Sequence, residues 1–165
     1  MRQNHRHGFL ISAGLVMIVG SLSAFAAAPE IEQIMKERHE NFEHMGEAFE
    51  DIDREIKRAS PDIGRIQRHA GQIDAWAQDQ IHWFPVGSGP ESGIKTDAKA
   101  EIWERPTEFK ALQDEFVIEA RELKNIADNS PVDMLAAQIH KTGEVCSQCH
   151  ETYRKKFSLF SIFGF

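Results

Sequence analysis

The chain has 165 residues, enough for one domain, with 19 basic and 26 acidic side chains and a formal net charge of −7. That balance excludes a nucleic-acid-binding protein, which needs a basic surface. Only two cysteines occur, Cys146 and Cys149, so any thiol chemistry is confined to one place.

The start of the chain reads as an export signal. Arg2 and Arg6 precede an apolar run from Phe9 to Val19, and small residues follow from Ser21 to Ala28. Cleavage fits after Ala26 or after Ala28. The run is short for a membrane span of about 20 residues. Residues 1–26 carry two arginines and no acid, so their loss leaves 17 basic and 26 acidic side chains and a net charge of −9. Such a surface suits a basic protein partner met by electrostatic steering.

A long amphipathic helix is predicted from Ile31 to Ala59. Ile31, Met35, Arg38, Phe42, Met45, Phe49, Ile52 and Ile56 recur at alternating gaps of four and three, an unbroken heptad seam. Arg38 is the one charge on that seam. It needs either an anionic partner or a route out to solvent. The acids Glu47, Glu50, Asp51, Asp53 and Glu55 read as a solvated face.

Ser60-Pro61-Asp62 reads as an N-cap, a proline at the first helical position and an acid in the first turn. The second helix then runs to about Phe84, with Ile63, Ile66, Ala70, Ile73, Ala77, Ile81 and Phe84 on its inner face. Pro85 to Gly93 is a loop by composition. Residues 94–105 read as irregular, with a helical turn around Asp97 to Trp103. A third helix starts near Pro106 and turns Phe109, Leu112, Phe116, Ala120 and Leu123 inward. Ser130-Pro131-Val132-Asp133 is a second cap. The fourth helix runs from there to about Lys156, with Val132, Leu135, Ile139, Cys146, Cys149/His150 and Tyr153 facing in. Each helix has a single apolar stripe, so none is stable alone. The expectation is an all-α, antiparallel four-helix bundle.

Cys146-Ser147-Gln148-Cys149-His150 is the attachment pattern of a c-type haem. Two thiols three positions apart lie on nearly one side of a helical turn. They suit addition to the two vinyl groups of one haem, and the adjacent His150 offers an imidazole nitrogen as axial iron ligand. A disulfide or half a zinc site would use the same thiols, but no second Cys pair completes the latter. One haem c between the first and fourth helices would fill the core.

At this point the sequence resembles the cytochrome c′ / cytochrome c-556 family over nearly the whole mature chain. The run Cys146 to His150, continued by Glu-Thr-Tyr153-Arg154-Lys-Lys, looks like its C-terminal signature. Phe84-Pro85, Thr96 to Trp103 and Phe109-Lys110 resemble its central block. The resemblance implies haem attachment through Cys146 and Cys149, His150 as proximal ligand, Arg154 near the proximal face and Arg38 reaching a propionate. The family often has Gln after this Arg, where this chain has His39. The c-556 members place a methionine at the position of Phe42, and its sulfur closes the sixth coordination site. Phe42 has no ligand atom, so resemblance and side-chain chemistry agree on a five-coordinate, mostly high-spin haem with an apolar distal pocket. Such a pocket gives bound O₂ little stabilisation and admits NO and CO when Phe42 moves.

Other residues carry plainer readings. His39 and Met45 flank position 42 and would be the alternative iron ligands. His44, His69, His82 and His140 have no metal-ligand spacing and read as solvated. Trp76, Trp83 and Trp103 read as core or loop anchors. The segment Phe157 to Phe165 holds four Phe, one Leu and one Ile, and reads as folding back on the bundle, or as supporting a homodimer contact or membrane-surface association. No Ser/His/Asp arrangement, phosphate loop or H-E-x-x-H helix is present, and no distal acid–base pair of the kind a peroxidase needs, so no enzyme is expected. The expected function is a periplasmic monohaem cytochrome that transfers electrons, binds NO or CO, or both. The alternatives are a six-coordinate c-556-like carrier and a haem-based NO or peroxide sensor or enzyme.

Overall fold

The computed structural model describes residues 29–156; the expected signal segment and residues 157–165 lie outside the described residues. Five α-helices follow one another: α1 (Pro29–Ile56), α2 (Ile63–Asp79), the short α3 (Glu101–Glu104), α4 (Pro106–Asn129) and α5 (Leu135–Tyr153). The four long helices form the antiparallel bundle, in the neighbour order α1, α2, α4, α5 and back to α1. Among the described residues no helix is long and apolar enough to cross a membrane.

The heptad seam of α1 is the seam that packs. Met35, Arg38, Met45 and Ile52 are buried, and Ile31, Phe42, Phe49 and Ile56 are half-buried. Ile52 joins Ile66 and Ile73 of α2, Leu123 of α4 and Leu135 of α5 in the main core, each almost wholly removed from solvent. Burying side chains of this size stabilises the bundle by about 1.5–3 kcal/mol each. A second, smaller core of Ile102, Phe109 and Tyr153 closes the end of the bundle where α5 finishes. Phe84 packs against both cores.

Several boundaries differ from the sequence reading. The N-cap of α2 is Asp62 rather than Ser60: its side chain accepts a 2.9 Å hydrogen bond from the Arg65 amide. Ile63 and Ile81, expected on the inner face, are exposed, because the helix starts two residues later and tightens into a 3₁₀ turn at Gln80–His82. Ser130 ends α4 without capping the next helix, and a 3₁₀ turn at Val132–Met134 precedes α5. The inner face of α5 also contains Gln138 and Thr142, whose bonds to the backbone carbonyl of Glu119 let polar groups sit in the core.

The acidic face of α1 is not wholly solvated. Asp51 and Glu55 are buried. Asp51 accepts hydrogen bonds from Arg54 at 2.6 Å and from both the Nη2 and Nε groups of Arg65 on α2, and His69 approaches it at 3.1 Å. Glu55 pairs with Arg58 and accepts from the Asp62 amide. A carboxylate enters an interior when cations on the facing element come with it. The same network corrects the reading of His69, which is half-buried at the α1–α2 interface.

Candidate functional site

α1 and α5 approach each other over a shorter stretch than the other neighbouring pairs of the bundle. At Gly143 the two helices come close enough that an added Cβ would lie 3.3 Å from Cζ of Phe49. One turn further along α5 come Cys146 and Cys149. Both are free thiols and both are half-buried, Cys146 against the main core and Cys149 against the smaller one. Burial pushes both thiols up to about 11, and the charge of Cys146 adds to the effect at Cys149. At neutral pH they are therefore uncharged sulfurs on the inner side of one helical turn.

His150 is next to them on the solvent side of α5. Desolvation by its surroundings and the cation of Arg154 lower its affinity for a proton, so the imidazole is neutral and keeps a nitrogen lone pair at neutral pH. Arg154 is exposed, 3.9 Å from Asp97. The end of α5 is stitched to residues 96–99. Lys99 N donates to the Tyr153 carbonyl at 2.9 Å, Lys155 N to that of Asp97 at 2.8 Å, and Ala98 and Arg154 form an isolated antiparallel bridge.

Arg38 is buried, not snorkelling. Its guanidinium donates to the carbonyl of Trp83 at 3.2 Å, to Oγ and O of Ser88 at 3.0 Å each, and to Oγ1 of Thr96 at 3.3 Å. It also lies over the ring of Phe84, 4.7 Å from the centroid. Desolvation lowers its pKa to about 10, with Glu91 opposing the shift, and it stays charged at neutral pH. No carboxylate among the described residues reaches ion-pair distance of it. A buried cation with only neutral partners fits an anionic group such as a haem propionate, and a free thiol pair beside a neutral imidazole fits haem c.

Phe42 sits one turn beyond Arg38 on α1. Its ring meets Trp83 edge-on, with centroids 5.1 Å apart, and lies 6.1 Å from Phe84. The aromatic chain continues through Phe109, 4.9 Å from Phe84, to Tyr153, 5.0 Å from Phe109. It links Phe42 of α1 to Tyr153, the last residue of α5. His39 points to solvent and pairs with Glu43, and Met45 is buried in the main core. His44, His82 and His140 are exposed, as read from the sequence, and no cluster of metal-ligating side chains occurs among the described residues.

A family model for cytochrome c′ matches residues 33–154. This chain belongs to the cytochrome c′ family. A cytochrome c′ of Alcaligenes xylosoxydans xylosoxydans is 34% identical over 98 residues, covering 56% of this chain and 75% of the relative. One from Pararhodospirillum photometricum is 27% identical over 125 residues, covering 75% and 98%. Among solved structures, a cytochrome c′ with ligand-controlled dimer dissociation matches with a TM-score of 0.72 at 23% identity, over 79% of this chain and all of the other. The nitric oxide complex of a variant cytochrome c prime from Alcaligenes xylosoxidans matches with a TM-score of 0.68 at 26% identity, over 77% and 97%. Cytochrome c′ proteins are four-helix bundles carrying covalently attached haem c, and the present chain is of that monohaem type.

Sequence reasoning missed the partners of Arg38. Ser88 lies in a stretch marked only as a loop by composition, and Thr96 is marked only as the start of the block that resembles the family's. Gly89 is required there because an added Cβ would lie 2.8 Å from the Trp103 ring. Trp103 in turn donates to the carbonyls of Phe84 and Pro85 at 3.2 and 3.1 Å, holding the loop over Arg38.

Proposed function

We propose that this chain is a periplasmic cytochrome c′, released from a signal segment ending at residue 26 or 28, that carries electrons and binds small neutral gases such as NO and CO. Cys146 and Cys149 would hold the haem as thioethers, and His150 would be the protein's ligand to its iron. When bound, the haem supplies the one-electron couple and the gas-binding iron. Arg38 neutralises a propionate from within the loop of residues 83–96. Arg154 stands on the proximal side. Phe42 covers the distal position, lacks a ligand atom and admits a ligand by moving against Trp83 and Phe84.

One observation carries this reading over a six-coordinate c-556-like carrier. The side chains near the distal position that could donate to iron are turned elsewhere, His39 to solvent and Met45 into the core. The nitric oxide complex formed by a relative supports the gas-binding half. The mature charge of −9 supports a basic redox partner, and the relative with a dissociable dimer supports a homodimer. No catalytic role is assigned, since no distal acid–base pair accompanies Phe42.

The test is attachment. Replacing both cysteines (Cys146→Ala with Cys149→Ala) should release all haem into acid-acetone, while either single replacement leaves one thioether. Haem retained by the double variant would sink the assignment.

A further inference from the structure

The tryptophans differ in what their indole N–H groups meet. Trp83 is buried, and its Nε1 donates to Oδ2 of Asp79 at 2.8 Å. Trp103 donates to the carbonyl oxygens of Phe84 and Pro85, which accept a hydrogen bond but no proton. Among the described residues only Trp83 gives its N–H to a carboxylate. Asp79 is the last residue of α2, and the 3₁₀ turn at Gln80–His82 brings Trp83 back over it. Asp79 is exposed, so solvent reaches the carboxylate. On its inner side Trp83 meets the two α1 residues assigned to the haem. Its ring packs edge-on against Phe42, with centroids 5.1 Å apart, and its carbonyl accepts from Arg38 at 3.2 Å. One buried indole thus spans from Phe42 to a surface carboxylate.

We infer that Trp83 is a one-electron donor, with Asp79 as its proton acceptor, that draws an oxidising equivalent out of the haem pocket when hydrogen peroxide reacts there. The inference rests on the five-coordinate reading of the proposed function, since peroxide needs an open position on iron. Hydrogen peroxide takes up two electrons and two protons and becomes two waters. One electron comes from the haem group and one from Trp83, and solvent supplies the two protons. An indole that has lost an electron is a far stronger acid than indole itself. Its N–H proton passes along the existing hydrogen bond to Asp79, leaving a neutral indolyl radical and a carboxylic acid. The distance of 2.8 Å is within the reach that proton transfer requires. Asp79 then returns the proton to water. A neutral acceptor would satisfy a buried indole N–H equally well, as it does at Trp103, but it would leave a positive charge in the interior. Tyr153 is the poorer donor, because burial raises its phenol above the ordinary 10 and the ring holds its proton more tightly.

The experiment mixes the ferric, haem-loaded protein with hydrogen peroxide, freezes it at successive times and records electron paramagnetic resonance, with ring-deuterated tryptophan to identify the signal. Peptide mapping by mass spectrometry then locates added oxygen. Wild type should show a tryptophan radical and oxidation at Trp83. Trp83→Phe should remove both, and Trp76→Phe should keep both. Asp79→Asn keeps a hydrogen-bond acceptor but cannot take the proton. It should slow radical formation roughly 100-fold, the lower bound for losing a positioned proton acceptor, while the CO spectrum of the ferrous protein stays unchanged. A radical that survives in Trp83→Phe, or equal rates in wild type and Asp79→Asn, would overturn the inference. So would a CO-binding protein that forms no tryptophan radical with peroxide. A low-spin protein indifferent to CO would overturn the five-coordinate reading, and the inference with it.

Discussion

Arg38 ties the loop of residues 83–96 to the first helix and is the proposed partner of a haem propionate, and replacing it tests both roles. Arg38→Leu keeps the seam apolar and removes four hydrogen bonds from a charged donor. Two go to carbonyl oxygens, of Trp83 and Ser88, and two to hydroxyls, of Ser88 and Thr96. Hydrogen bonds to charged groups contribute about 1.5–3 kcal/mol each, but a buried Arg also carries a desolvation cost that the variant is spared. Ser88 Oγ keeps its 2.8 Å bond to the Pro85 carbonyl, whereas the Ser88 carbonyl loses the guanidinium in a buried place. Offsetting these terms gives a net loss of about 1.5–3 kcal/mol, that of one hydrogen bond to a charged group. Urea unfolding of the haem-loaded variant, followed in the far ultraviolet, measures it. Ser88→Ala and Thr96→Val separate the roles, because they loosen the loop while keeping the cation. They should cost about 1 kcal/mol each and leave the reduction potential nearly unchanged. Arg38→Leu should lower the potential, since a nearby cation favours the less positive ferrous haem. A loss below about 1 kcal/mol together with an unchanged potential would refute this role. It would mean that the guanidinium neither anchors the loop nor faces a propionate.

Two further outcomes rest on the geometry. Phe42→Ala should speed CO binding, measured by flash photolysis, because the ring held against Trp83 and Phe84 no longer hinders entry; Phe42→Met should shift the spectrum towards low spin by supplying a thioether. Burial alone would raise the Asp51 carboxyl, but Arg54 and Arg65 outweigh it and hold the group below its ordinary 3.8. A depressed carboxyl adds stability that is complete above its unfolded pKa and is lost as pH falls through its folded value. Wild type should therefore exceed Asp51→Asn in urea midpoint at neutral pH, and the gap should close on acidification below 3.8; a gap independent of pH would mean the pairing contributes nothing through titration.

The parts of the molecule legible in the sequence are those set by period and by motif. The alternating four-and-three seam of α1 marked eight positions, and all eight are buried or half-buried. The inward residues Ile66, Ala70, Ile73 and Ala77 of α2, and Phe109, Phe116, Ala120 and Leu123 of α4, came from the same spacing. The features that escaped were set by partners distant in sequence. Asp51 looked like one solvated acid in a run of five until Arg65, fourteen residues later, was brought against it. Arg38 was recognisable as a charge on an apolar seam, but its present partners lie 45 to 58 residues away in a loop with no periodic signal. The cap at Ser60 was misread for a local reason: Ser60-Pro61-Asp62 offers two capping side chains, and the choice fell to Asp62, which also gives its amide to Glu55.

The most direct test of the account is the optical spectrum of the purified holoprotein, ferric and ferrous, with and without CO, at neutral pH. The account predicts haem that stays with the chain through acid-acetone extraction, a high-spin spectrum in both oxidation states, and a marked change on adding CO to the ferrous form. A low-spin spectrum indifferent to CO would contradict it, and would show that iron takes a second protein ligand in spite of Phe42.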